Sequence, residues 1–141
     1  MTRNDRIPKQ AGASGLPQLK QAGRLVMPAE WSPHRATWLA WPHNRNDWPG
    51  KLSAVSWCYV EIVRQLSLSE PVAILFENAA AERRALSQLN RAGVNLNRIE
   101  QFVCQTNRGW IRDNGGSFVR RHHGDSAEGE LALVDWEFNA W

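Results

Sequence analysis

The residues best equipped for chemistry gather in one glycine-rich stretch, Thr106 to Phe118, which reads TNRGWIRDNGGSF. Trp110 and Asp113 stand three apart in it, between two segments patterned as strands. A carboxylate beside Gly115 and Gly116 can be turned toward a pocket, because glycine lets the backbone bend or approach closely. A planar cation suits the pair: the carboxylate grips a fork of N–H donors while the indole stacks on the face, as a guanidinium is held. The same residue types admit a plainer arrangement, in which Arg112 and Asp113 form a local ion pair and Trp110 belongs to the core.

Other candidates are weaker. Met27 to Gly50 packs Trp31, Trp38, Trp41 and Trp48 together with His34 and His43, yet the histidine spacing is not that of a metal site. His122 and His123 are adjacent, so on a strand they point to opposite faces and cannot both address one site. Cys58 and Cys104 form no C-x-x-C pair and read as buried, inert thiols, with Cys58 on the apolar face of a helix. The chain has no H-x-x-x-H, no GxGxxG and no phosphate-cradling loop.

The elements that must position these residues follow from apolar spacing. Ala36 to Trp41 is a short apolar run closed by Pro42, which predicts a strand; the turn formers from His43 to Gly50 predict a loop. Val55, Cys58, Tyr59, Ile62, Val63 and Leu66 recur at helical spacing and predict a helix over Leu52 to Leu68. A second strand is expected at Val72 to Phe76. Asn78 then caps a helix running to about Ala92, stopped by Gly93. Further strands are expected at Ile99 to Cys104, Ser117 to Arg121 and Leu131 to Glu137, the last two joined by a turn over Gly124 to Glu130. This is an α/β layout with a mixed sheet.

Composition narrows the class. With 43% hydrophobic and 22% charged residues in 141, the chain has the make-up of a globular domain. No apolar run is long enough to span a bilayer, and the N-terminus lacks the apolar region of a secretory signal, so a cytoplasmic location is expected. The net charge of +3 invites a nucleic-acid reading that its distribution opposes. Residues 1–26 hold five basic groups (Arg3, Arg6, Lys9, Lys20, Arg24) against Asp5, leaving 12 of the 17 basic and 13 of the 14 acidic groups beyond them, a net of −1. Basicity is thus expected in a disordered extension, residues 1–24, rather than on the folded part, 25–141, and no nucleic-acid partner is expected.

Met27-Pro28-Ala29-Glu30-Trp31, Pro33-His34, Thr37 through Asn44 and Trp48-Pro49-Gly50 together resemble the opening signature of the agmatine deiminase and bacterial peptidylarginine deiminase family. Thr106-Asn107, Trp110, Arg112-Asp113 and Gly115 resemble its second motif, T-N-D-x-W-x-R-D-x-G-P, and Phe138-Asn139-Ala140-Trp141 its third. The resemblance implies a pentein fold, an α/β propeller of which this chain would hold about one and a half ββαβ units. It implies attack by a cysteine thiolate on a guanidinium carbon, loss of ammonia and hydrolysis to a ureido product, with no cofactor and a small guanidine substrate. Asp113 matches one of the family's guanidinium-holding carboxylates and Trp110 a neighbouring pocket wall. Neither cysteine matches the nucleophile, which with its histidine and second aspartate belongs to a later portion. The chain is therefore expected to be a truncated member, inactive alone; the rival expectation is a binding module for arginine-like groups that does no chemistry. Two departures stand out. Arg108 replaces the usual aspartate, which would disfavour the second cation of agmatine and favour a carboxylate-ended substrate if it points inward. Gly116 replaces the usual proline, which is expected to loosen the loop that presents Asp113.

Overall fold

The computed structural model describes residues 23–124 and 129–137. The extension expected over residues 1–24 therefore lies almost wholly outside the described residues, as do most of the 124–130 turn and the 138–141 motif.

The strands divide into two three-stranded sheets instead of the single mixed sheet expected. One is parallel, with β2 (Thr37–Ala40), β3 (Val72–Phe76) and β4 (Ile99–Val103) side by side in that order. Two helices make its crossovers, α1 (Leu52–Ser69) and α2 (Ala79–Arg91), as parallel neighbours require. The other sheet is antiparallel, with β1 (Arg24–Val26) beside β5 (Ser117–His122), and β5 beside β6 (Glu130–Val134). The separation was hidden in the sequence because β1 pairs with a strand at the far end of the chain, Arg24 opposite His122, and no local pattern encodes that.

The core sits between the parallel sheet and its helices. Val72, Ala73, Ile74 and Phe76 of β3 are all fully buried, as an unbroken apolar run on a central strand should be. Val60, Val63, Ala85, Leu89, Val94, Ile99 and Trp41 close around it, and Trp41 meets Tyr59 edge-on and Phe76 at a tilt, both with ring centroids 6.1 Å apart. The face α1 buries only partly matches the one expected: Val63 is inside and Tyr59 and Leu66 pack against the core, but Val60 and Ser67 join them, whereas Ile62 is 44% exposed and Cys58 is exposed. α1 is apolar on more than one side, so periodicity alone does not select a face. Two serines fit on or beside the inner face because Ser56 donates to the Leu52 carbonyl and Ser67 to the Arg64 carbonyl, satisfying both hydroxyls within the helix. Cys104 is exposed as well, so both thiols depart from the buried state expected.

The start of α2 is set as the sequence predicts. Asn78 is extended, and its side-chain oxygen accepts from the backbone N–H groups of Ala80 and Ala81. Asn78→Ala is expected to cost about 1 kcal/mol of stability, read as a lower midpoint in urea denaturation.

Candidate active site

Two loops meet at the carboxyl end of β2. The first, 41–51, leaves that strand and enters α1; the second, 104–110, leaves β4. Four contacts join them. The Asn44 side-chain amide donates to the Asn107 carbonyl at 3.0 Å, and the Asp47 carboxylate holds the Arg108 guanidinium. Trp48 and Trp110 lie with ring centroids 5.2 Å apart at 47°. Gly109 is buried between them, where an added side chain would meet the Ala40 carbonyl and the Trp48 ring. Asp47 is the anchor of this clamp: its side chain is 1% exposed and the Arg108 side chain 47%.

The segment expected to be loop throughout contains one helical turn, α3 (Ile111–Asn114), with Trp110 at its N-cap. The turn determines what Asp113 can do. Trp110 precedes the turn with non-helical dihedrals (φ −85°, ψ 65°), and its carbonyl accepts from the Asp113 and Asn114 N–H groups at 3.1 and 3.3 Å. Arg112 in fact donates to Glu30 at 3.1 Å, not to Asp113. Trp110 is 39% exposed and is not part of the core. Both halves of the plainer arrangement are thus absent: Asp113 is exposed, and its carboxylate engages no other described residue. What remains is an exposed carboxylate three residues after an indole that packs on Trp48.

The turn ends on glycines with little room around them. The Gly115 N–H donates to the Ile111 carbonyl at 2.8 Å, and a Cβ at Gly115 would lie 2.5 Å from that same oxygen. A Cβ at Gly116 would fall 2.7 Å from Leu133 Cδ1 and 3.1 Å from the Val134 carbonyl. The absence of proline at 116 therefore goes with close packing of β6 against this backbone, a steric reason for glycine that adds to its conformational freedom.

The remaining candidates are scattered. His34 lies beyond the amino end of β2, where Nδ1 is 2.9 Å from the Ser32 carbonyl and Nε2 pairs with Glu70; Glu70 also accepts from Thr37 at 2.9 Å. The Ser32 carbonyl, then the Glu70 hydrogen bond and charge, hold the His34 pKa above 6.5. A raised pKa in the folded state means that the pairing contributes most below pH 6.5 and fades as pH rises through the raised value. His34 is expected to titrate above 6.5 by NMR, and Glu70→Gln to lower that midpoint. His43 Nδ1 donates to the Trp41 carbonyl at 3.1 Å, and His123 Nε2 lies 3.8 Å from Glu130. Among the described residues no group of three or more His, Cys, Asp or Glu is placed to hold a metal, and no helix is long and apolar enough to cross a membrane.

Of the residues singled out from the sequence, Trp110, Asp113 and Arg108 therefore share one locality. Asp47 and Trp48 were missed as partners. Their signal was present only as an acid and an indole in a turn-rich loop, and what they serve depends on β2 and β4 placing their carboxyl ends together.

Comparison with known proteins identifies the family. The model of the Porphyromonas-type peptidyl-arginine deiminase family matches residues 26–141. The chain is 32% identical over 121 residues to an agmatine deiminase of Ectopseudomonas mendocina (strain ymp), covering 86% of this chain and 30% of that protein. In structure it resembles the C. jejuni agmatine deiminase with substrate bound (TM-score 0.69, 26% identity, 86% of this chain and 32% of the other). It also resembles a Porphyromonas gingivalis protein described as a putative arginine deiminase (TM-score 0.62, 26% identity, 84% and 32%). The chain spans about a third of the length of these relatives. With a family match that runs from β1 through the Trp110–Asp113 turn to Trp141, the chain belongs to the Porphyromonas-type peptidyl-arginine deiminase family.

Proposed function

We propose that the chain supplies one wall of a guanidinium site in an enzyme that hydrolyses a guanidine C–N bond and releases ammonia. The observation that supports this reading is the α3 turn, where Asp113 follows Trp110 by three residues and its carboxylate has no partner among the described residues. In this reading Asp113 accepts the N–H fork of the substrate, and Trp110, braced by Trp48, covers its planar face. The substrate class is agmatine or an arginine-like group, as the names of the relatives suggest. Arg108 stands at the rim, held by Asp47 and half exposed, where its charge favours a substrate whose far end is a carboxylate over one ending in an amine.

The bond-breaking cysteine lies outside this wall. Cys58 is in the middle of α1 and Cys104 directly follows β4, and neither matches the family's nucleophile. In this reading further segments of a pentein propeller, beyond the third of the relatives' length that this chain spans, complete the site. The reaction so assigned is cytoplasmic and needs no metal or organic cofactor.

Titrating the purified chain with arginine, agmatine and citrulline while following tryptophan emission tests the binding half. Arginine is expected to bind and citrulline, which lacks the cation, to bind far more weakly. Equal binding of the two would refute a carboxylate–guanidinium grip. No citrulline or carbamoylputrescine is expected to form from arginine or agmatine, and steady turnover would show that the chain carries its own nucleophile.

A further inference from the structure

On the helix side of the parallel sheet a cleft of about 460 Å³ opens between the start of α1, the end of β3 and the first half of α2. None of Trp48, Trp110 and Asp113 lines it. Its apolar floor includes Trp41, Pro42 and Ala81, all buried, and Arg45 and Arg84 stand on its walls. A shallower concavity adjoins it across Arg84 and adds Arg83 and Arg91. None of these four arginines pairs with a described carboxylate, although most other arginines with a described partner hold one (Arg35 on Glu100, Arg64 on Glu61, Arg108 on Asp47, Arg112 on Glu30). The cleft has a single carboxylate, Glu77, whose Oε2 accepts from the Asn78 side chain at 3.2 Å.

The start of α1 adds to the cleft's preference for an anion. α1 begins at its edge with Leu52, without a side-chain cap at Lys51 and without an acidic residue in the first turn, so the positive end of the helix is unopposed. His43 also lines the cleft, its Nδ1 donating to the Trp41 carbonyl at 3.1 Å.

We propose that this cleft binds a phosphorylated small molecule. The phosphate sits between Arg45 and Arg84, whose planar forks match its oxygens, and the organic part rests on the Trp41–Pro42 floor. The volume lies within the roughly 300–1,000 Å³ usual for small-molecule sites.

Isothermal titration of the purified 141-residue chain with phenyl phosphate and with inorganic phosphate, at low ionic strength, tests this. Saturable binding at one site is expected, tighter for phenyl phosphate and weakened by added salt. Arg84→Gln and Arg45→Gln are each expected to weaken it about tenfold or more, the loss of one charge-assisted contact, with circular dichroism unchanged. Arg84→Lys is expected to keep part of the affinity, and Arg35→Gln, whose guanidinium pairs with Glu100, all of it. Absence of saturable binding, or equal affinity of the wild type and both Arg→Gln variants, would overturn the assignment.

Discussion

Phe76→Ala is expected to lower stability by about 3–5 kcal/mol, the cost of truncating a buried aromatic and leaving a cavity. Phe76 ends the central strand, is 0% exposed and packs against Trp41, so both crossover helices lean on the same patch. Against a typical domain stability of about 5–15 kcal/mol, this loss is a large share of the folded margin. Urea denaturation followed by far-UV circular dichroism measures it. Phe118→Ala serves as the contrast: Phe118 is 53% exposed, and a small change is expected there. Equal losses at the two positions would contradict the burial pattern that places the core on β3.

Asp113→Asn carries the largest expected effect on binding. The substitution keeps the shape of the side chain and removes its charge, so arginine affinity should fall between about tenfold and a hundredfold, the worth of a charge-assisted pair. Stability should hardly move, because the Asp113 carboxylate supports no other described group. That combination separates a binding residue from a structural one. Arg112→Gln, which breaks only an exposed pair with Glu30 whose side chains are 85% and 77% exposed, should change stability by about 0–1 kcal/mol and leave binding alone. Affinity would be measured by tryptophan fluorescence and stability by denaturation on the same preparations.

Much of the parallel half of the fold was legible because its signals are local. Val72 to Phe76 is a continuous apolar run, Asn78 carries a side-chain cap and Gly93 takes a positive φ of 77°, and each fixes an element boundary within a few residues. What was not legible depends on distance along the chain. β1 is three residues long and gains meaning only beside β5. The inward face of α1 was misread at Cys58 and Ile62, which are as apolar as Val60 and Val63, and only the position of the sheet selects between them. α3 was read as loop because glycines crowd it; its single turn is closed by the Gly115 N–H on Ile111.

The candidate site divides in the same way. Asp113 and Trp110 were visible because their types and spacing suit a guanidinium, whichever neighbours surround them. Asp47 and Trp48 were not, since a charged residue and an indole in a surface turn have no evident task until β2 and β4 bring their loops together. Arg108 shows the consequence most clearly. In sequence it is an isolated base where the family carries an acid, whereas in the structure the nearly inaccessible Asp47 side chain holds it.

The most direct test of the guanidinium wall is to follow the indole N–H resonances by NMR while arginine is added to the purified chain. Saturable shifts are expected for Trp110 and Trp48, and none for Trp57, which is 48% exposed on α1. Shifts that do not saturate, or that are as large at Trp57 as at Trp110, would show that the indoles meet arginine only as exposed aromatic surface, and the wall built on Asp113 would be contradicted.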